Sequence, residues 1–373
     1  MSPREKLFAA AERLHGYLLD RHYHRGLLRG PDAGVRFNLR AWRFLKSALD
    51  FFPWHDDYVF IQTQGYWILA NWMLFEATGD TRWRTVALDS TEATLDLQRD
   101  DGTWAYPLPE RRHLIATVEG NWGAIGLLAS YARHPEQRYL EGAVRWYDYL
   151  VDRIGFQQHE AGKAINYFDK PRGKVPNNSV EAAWVFARLW QATGEERYLE
   201  HVDGMLDFVR NVQLATGELP YVVESPYERR REHYLCYQYN AFQFLKLAWL
   251  ERLRPSEAVA AVLPGIAKFL ATGVTASGAC AEDCFSRSVE VDYYTAALAA
   301  ALEEAACLRL ADAHPGQQAY DRVAARQNAD GGFIYSAGDY GFLRDSRSYP
   351  RPMAMTLFHL LYGAEAGDGF TQP

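Results

Sequence analysis

The chain has 373 residues, 48 % of them apolar, and carries a net charge of −7 with 23 % charged residues. That is enough apolar material for a large core, while the acidic balance and the lack of a basic stretch exclude a nucleic-acid partner, and no run of about 18 apolar residues offers a membrane span. Four cysteines in this length do not make a disulfide framework, and 11 Trp, 23 Tyr and 19 Phe suit a cavity that stacks a sugar ring or an apolar chain against flat faces.

Residues 3–20 open the chain as an amphipathic helix with charges every few positions. This is not the unbroken apolar stretch of a signal peptide, so a cytoplasmic location is expected. A further helix is expected over 36–51. From there a unit repeats. Segments 64–80, 119–135, 178–195, 236–253, 291–308 and 351–367 each hold small and aromatic residues with few charges, and their starts are 55–60 residues apart. Such segments read as helices buried on most sides. Between them, 80–98, 136–154, 195–213, 255–273 and 317–327 place apolar residues at intervals of three and four with charges opposite, the pattern of an outer helix. Gly79 and Gly194, in the links TGD and TGE, stand where a helix terminus takes a left-handed residue.

Glutamines punctuate the repeat. Gln98 opens QRDDGTW and Gln327 opens QNADGGF, with looser copies at Gln158 (QHEAG) and Gln213 (QLATG). The expected role is structural. The glutamine ends an outer helix and binds loose backbone groups, the glycine makes the turn, and the aromatic docks the loop. Six inner helices with five outer ones leave the N-terminal helix to serve as the sixth outer helix. The fold class is therefore all-α, an (α/α)6 toroid, and 1–373 is expected to form one domain.

In such a ring the loops into the inner helices line one mouth of a central hollow. The polar residues there are numerous: Gln64, Glu119, Asn121, Asn178, Glu181, Gln238, Asn240, Asp292 and Arg351, alternating with Trp67, Trp122, Trp184, Tyr239 and Tyr293. Each can be an ordinary helix cap, but their common register in every repeat points to a polar, aromatic-walled pocket. Glu119, Glu181 and Asp292 fall at corresponding places in three repeats, and Asp56 and Asp57 precede the first inner helix. Carboxylates facing one cavity can divide acid and base work when burial raises one pKa. His233 is a further candidate at the mouth. Cys280 and Cys284 lack a matching His or Cys pair, so neither a metal nor another cofactor is expected.

Two resemblances follow from these residues. The Gln-x-x-Asp-Gly-x-aromatic copies at 98–104 and 327–333 resemble the QW repeats of squalene–hopene cyclases and their prenyltransferase relatives. The TGD and TGE links with their Asp-Gly loops resemble six-hairpin glycosidases such as unsaturated glucuronyl hydrolases, with the related sugar epimerases and polysaccharide lyases. The cyclase resemblance implies an Asp-x-Asp-Asp acid, yet position 54 is Trp and only Asp56 and Asp57 follow. A prenyltransferase would hold zinc with an Asp-x-Cys, whereas Glu282 stands two before Cys284. The glycosidase resemblance implies general acid/base chemistry by carboxylates on an acidic oligosaccharide, with Arg351 or Arg287 holding a substrate carboxylate. A lyase or epimerase would instead draw its base from Tyr239, Tyr293 or His233. A terpene cyclase using Asp56 or Asp57, and a non-catalytic binding toroid, are the alternatives.

Overall fold

The computed structural model describes residues 1–32, 56–285, 290–339 and 343–365. The expected helix at 36–51 and Arg287 lie outside these residues. Twelve α-helices are found among them. In chain order they are α1 (Pro3–Arg21), α2 (Ile61–Thr78), α3 (Thr81–Asp96), α4 (Thr117–Arg133), α5 (Gln137–Tyr149), α6 (Pro176–Thr193), α7 (Val202–Val212), α8 (Cys236–Leu253), α9 (Glu257–Ala271), α10 (Asp292–Cys307), α11 (His314–Ala325) and α12 (Pro350–Glu365).

The even-numbered helices α2 to α12 form the inner ring, each packed on the next, and α12 closes onto α2. The outer layer is α3, α5, α7, α9, α11 and α1, with α1 lying against α12 as the sixth outer helix. Burial explains the two compositions. In α2 every residue from Ile61 to Leu74 is buried, because an inner helix has neighbours on both flanks and an outer helix behind it. In α7 only one stripe is buried, Val202, Met205, Leu206, Phe208, Val209 and Val212, as expected of a helix with one face in water. The links behave as their glycines require: Gly79 and Gly194 take φ of 69° and 73° at the ends of α2 and α6.

The glutamine repeat is a staple between successive outer helices. Gln98 Nε2 donates to Gly102 O and, at 2.8 Å, to Gly142 O of α5. Gln213 does the same with Gly217 O and Val262 O of α9. Gln327 repeats it with Gly331 O and Ala10 O of α1. The last of these ties the loop after α11 back to α1 and so closes the outer layer. The turn glycine has no substitute here. Gly217 has φ +89°, and a Cβ on it would meet Gly265 O at 2.1 Å. Trp104 docks as expected, its indole N–H reaching Thr94 O at 2.9 Å. Gln158 departs from the expectation. It lies in a strand of an antiparallel hairpin, β3 (Phe156–His159) with β4 (Gly162–Ile165), which fills the interval between α5 and α6.

Two further hairpins, β1 (Tyr23–His24) with β2 (Leu27–Leu28) and β5 (Ser336–Asp339) with β6 (Leu343–Asp345), sit in other connections. Isolated bridges such as Ala116 with Phe168, Lys174 with Val223 and Val291 with Ser336 knit the loops at the N-terminal ends of the inner helices.

Candidate active site

Five of the inner helices, α2, α4, α6, α8 and α10, start without side-chain caps of their own. Their N-cap positions are Phe60, Ala116, Val175, Leu235 and Val291, none of which supplies a capping side chain. Asp56 and Asp57 therefore do not cap α2. Its first amides are instead capped from the neighbouring helix: Glu119 Oε2, in the first turn of α4, accepts from Ile61 N at 2.6 Å and Gln62 N at 3.1 Å. A buried anion acceptor at the positive end of α2 is favoured by the helix dipole.

The ends of the ring enclose a cavity of about 500 Å³. Seven of the expected site residues line it: Glu119, Asn178, Glu181, Gln238, Tyr239, Tyr293 and Arg351. Tyrosine is the commonest residue of its wall, with eight of them and, among the described residues, no tryptophan or histidine. Several polar atoms on it are buried without a hydrogen-bond partner: Asn177 Oδ1, both side-chain polar atoms of Asn178, Glu181 Oε2 and Gln238 Oε1. Leaving such a group unmatched costs about 1–3 kcal/mol. Polar atoms on a cavity wall are matched by the water that fills it or by a ligand that displaces that water.

The two buried carboxylates of the cavity, Glu119 and Glu181, are held differently. Burial pushes the Glu119 carboxyl up to about 7, against the opposing influence of Arg351 and the Gln62 and Ile61 amides. Because those amides occupy Oε2, a proton carried by Glu119 belongs on Oε1. Glu181 forms an ion pair with Lys246 Nζ at 3.0 Å, with both side chains 3 % exposed, and its Oε1 accepts from the Trp122 indole N–H at 3.1 Å. Arg351 spends its guanidinium on Asp32, at 2.8 and 2.7 Å, and reaches Gln62 Oε1 at 3.3 Å. Its charge is thus matched within the protein, so Arg351 is not the open carboxylate-binding cation its position implied. At the rim, Arg231 lies 3.7 Å over the Tyr234 ring.

The remaining candidates point elsewhere. An α-helix turns 100° per residue, so residues two apart face nearly opposite ways. Gln62 faces the hollow, whereas Gln64 turns outward and clamps Leu28 through both its N–H and its C=O. Gln238 faces the hollow, whereas Asn240 clamps Leu219 in the same manner. Asn121, two beyond Glu119, accepts from the Trp146 indole. Asp292 turns toward the outer layer, where it pairs with Arg326 beside Glu290; burial holds its carboxyl up at about 6, with Arg326 opposing. Asp57 is exposed and pairs with Arg29, and neither it nor Asp56 lines the cavity. Trp67 stacks on His15 at 4.3 Å, Trp122 on Tyr66 at 3.7 Å, and Trp184 packs near Trp249. All three are core rather than wall. His233 is bound to Glu218, 2.8 Å away, and does not line the cavity.

Sequence reasoning missed Lys246 and Arg231. The first had a signal, a single lysine in the apolar middle of α8. The second stood in the ERRRE run at 228–232, which reads as a solvated loop.

No protein-family model matches the chain, and no curated protein matches it significantly. Solved structures do match in fold. A possible member of the GH105 family from Salmonella enterica serovar Paratyphi A superposes with a TM-score of 0.71 at 14 % identity, over 97 % of this chain and 94 % of that one. A glycosyl hydrolase family 88 protein from Bacteroides vulgatus gives 0.68 at 12 %, over 97 % and 99 %. Cellobiose 2-epimerase from Bacillus thermoamylovorans gives 0.67 at 12 %, over 81 % and 87 %. These neighbours share the toroid, in agreement with the six-hairpin resemblance of the sequence.

Proposed function

We propose that the chain is a carbohydrate-active enzyme, a glycoside hydrolase acting on an acidic oligosaccharide through Glu119 and Glu181. The observation that carries this reading is the cavity itself. Two buried carboxylates from adjacent inner helices face one space whose wall combines tyrosine rings with buried amides lacking partners. A polyhydroxylated ligand supplies both needs, stacking its ring faces on tyrosine and pairing its hydroxyls with Asn178 and Gln238. The named activities of the fold neighbours, hydrolases and an epimerase of sugars, favour the same class by analogy of fold.

In this reading Glu119 is the acid. With a pKa of about 7 it carries a proton in about half of the molecules at neutral pH and delivers it from Oε1 to the glycosidic oxygen, or to the double bond of an unsaturated uronide. Glu181 takes a proton from the water that adds to the sugar carbon, through its unpartnered Oε2, while Lys246 fixes its orientation. Arg231 at the rim meets the uronate carboxylate. A lyase or epimerase needs a Tyr or His base, and here burial pushes the Tyr239 and Tyr167 hydroxyls well above their ordinary value. A cyclase needs a buried acid in an apolar hollow, which Asp56 and Asp57 do not provide.

The test is a thermal-shift screen against Δ4,5-unsaturated uronide disaccharides, saturated acidic oligosaccharides and prenyl diphosphates, followed by loss of the unsaturated-uronide absorbance. Stabilisation by the sugars, with turnover abolished in Glu119→Gln and Glu181→Gln, is expected. Stabilisation by diphosphates alone, or full turnover in Glu119→Gln, would overturn the proposal.

A further inference from the structure

Beside the cavity, and separate from Glu119 and Glu181, four metal-ligating side chains converge from the loop after α7, the segment that leads into the first residue of α8, and the loop before α10. Glu218, His233 and Cys284 each bring a ligand atom within 4.8 Å of the others. Cys236 joins them, its Sγ 3.4 Å from Cys284 Sγ. Cys284 Sγ is in turn 3.8 Å from Glu218 Oε2. Ligand atoms placed tetrahedrally around zinc at about 2.0–2.3 Å are separated by about 3.3–3.8 Å. The Cys284–Glu218 contact already matches such a separation, while the 3.4 Å contact between the two sulfurs and the 2.8 Å His233–Glu218 contact both lengthen when a metal enters between them.

Glu218 gives the second argument. Its side chain is fully buried, and its Oε1 has no hydrogen-bond partner. Oε2 finds only His233 and the two thiols around it. A buried carboxylate facing sulfur and imidazole, rather than Lys or Arg, is arranged for a cation. The histidine gives the third. Nδ1 is the nitrogen turned to Glu218, while Nε2 lies 3.5 Å from Glu232. A ligating histidine typically donates its other ring N–H to a carboxylate in this manner, which fixes the tautomer and the ring.

We propose that Glu218, His233, Cys236 and Cys284 form a closed, structural zinc site at the edge of the cavity. Thiolate, imidazole and carboxylate together favour zinc over the hard cations. Both thiols bind as thiolates, their protons passing to solvent. The site fixes the cavity wall, because Leu235, next to Cys236, and Glu282, two before Cys284, both line it. Two of the ligands, His233 and Cys236, stand three apart in one segment and Glu218 and Cys284 come from two others, a pattern unlike the Asp-x-Cys pair of the prenyltransferases, and the expectation of no metal is revised accordingly.

The test uses the full chain. It is purified without chelator and its zinc content measured, then stripped and titrated with Co(II). One zinc per chain is expected, with cobalt giving intense tetrahedral visible bands and thiolate charge-transfer absorption. Both signals should be lost in Cys284→Ser, whose exposed position keeps folding intact, and in Cys236→Ser, but retained in Cys307→Ser. Stripping should lower Tm in the wild type and leave Cys284→Ser unchanged. Metal-free protein that shows no cobalt spectrum would overturn the proposal. So would unchanged binding in Cys284→Ser, or a Cys236–Cys284 disulfide found by peptide mass under non-reducing conditions.

Discussion

Lys246→Met isolates the electrostatic logic of the cavity. Lys246 and Glu181 are both 3 % exposed and 3.0 Å apart. The lysine also lies 4.9 Å over the Trp122 ring, the same indole that donates to Glu181. Removing the lysine leaves Glu181 with that single donor among the described residues, and with Oε2 still unmatched. Breaking one side of a buried pair costs about 3–5 kcal/mol, because the surviving charge is uncompensated. Unfolding entropy of about 2.1 cal/mol/K per residue gives about 0.8 kcal/mol/K for a chain of this size, so Tm should fall by about 4–6 °C. Adding Glu181→Gln to Lys246→Met removes the orphaned charge, and the double variant should recover most of the loss. The assay is thermal unfolding by circular dichroism at pH 7 on wild type, both single variants and the double. A Lys246→Met protein within about 1 °C of wild type would refute the reasoning, as would single losses that simply add in the double, since contacting partners must couple.

Two other outcomes follow from the same geometry. Glu119 has its folded pKa raised by burial from 4.5 to about 7, so the folded state holds its proton more tightly than the unfolded chain. Its contribution is complete below about pH 4.5 and is lost as pH rises toward 7, a decline of about 3 kcal/mol. Urea unfolding at stepped pH should show that slope flattened in Glu119→Gln. Gly217→Ala should destabilise by about 3 kcal/mol or more, since the new Cβ meets Gly265 O at 2.1 Å in a left-handed backbone; a Tm unchanged within error would show that α9 can move away from the turn.

Much of this molecule was legible in one dimension because its causes are local. Burial on all sides gives segments such as 61–78 their uniform apolar composition, and one-sided burial gives 202–212 its stripe. A glycine at φ +89° can be no other residue without strain, so the turns announce themselves. The glutamine that precedes them is legible for the same reason at 98, 213 and 327. At 158 the letters were alike but the backbone formed a hairpin, and four similar residues do not specify which neighbour accepts the amide.

The sequence by itself determined the repeat, its period and the assignment of inner and outer helices, and so the toroid with the N-terminal helix completing the outer layer. Only the tertiary structure decided which polar residue of each helix start faces the hollow. Gln62 and Gln64, or Gln238 and Asn240, are equivalent as composition and are separated by the 200° between residues two apart. Nor does sequence show that Glu119 caps the helix starting 58 residues earlier, or that Lys246 meets Glu181. Those pairings depend on the rotation of each helix about its axis, and that rotation is set by packing against its neighbours in the closed ring.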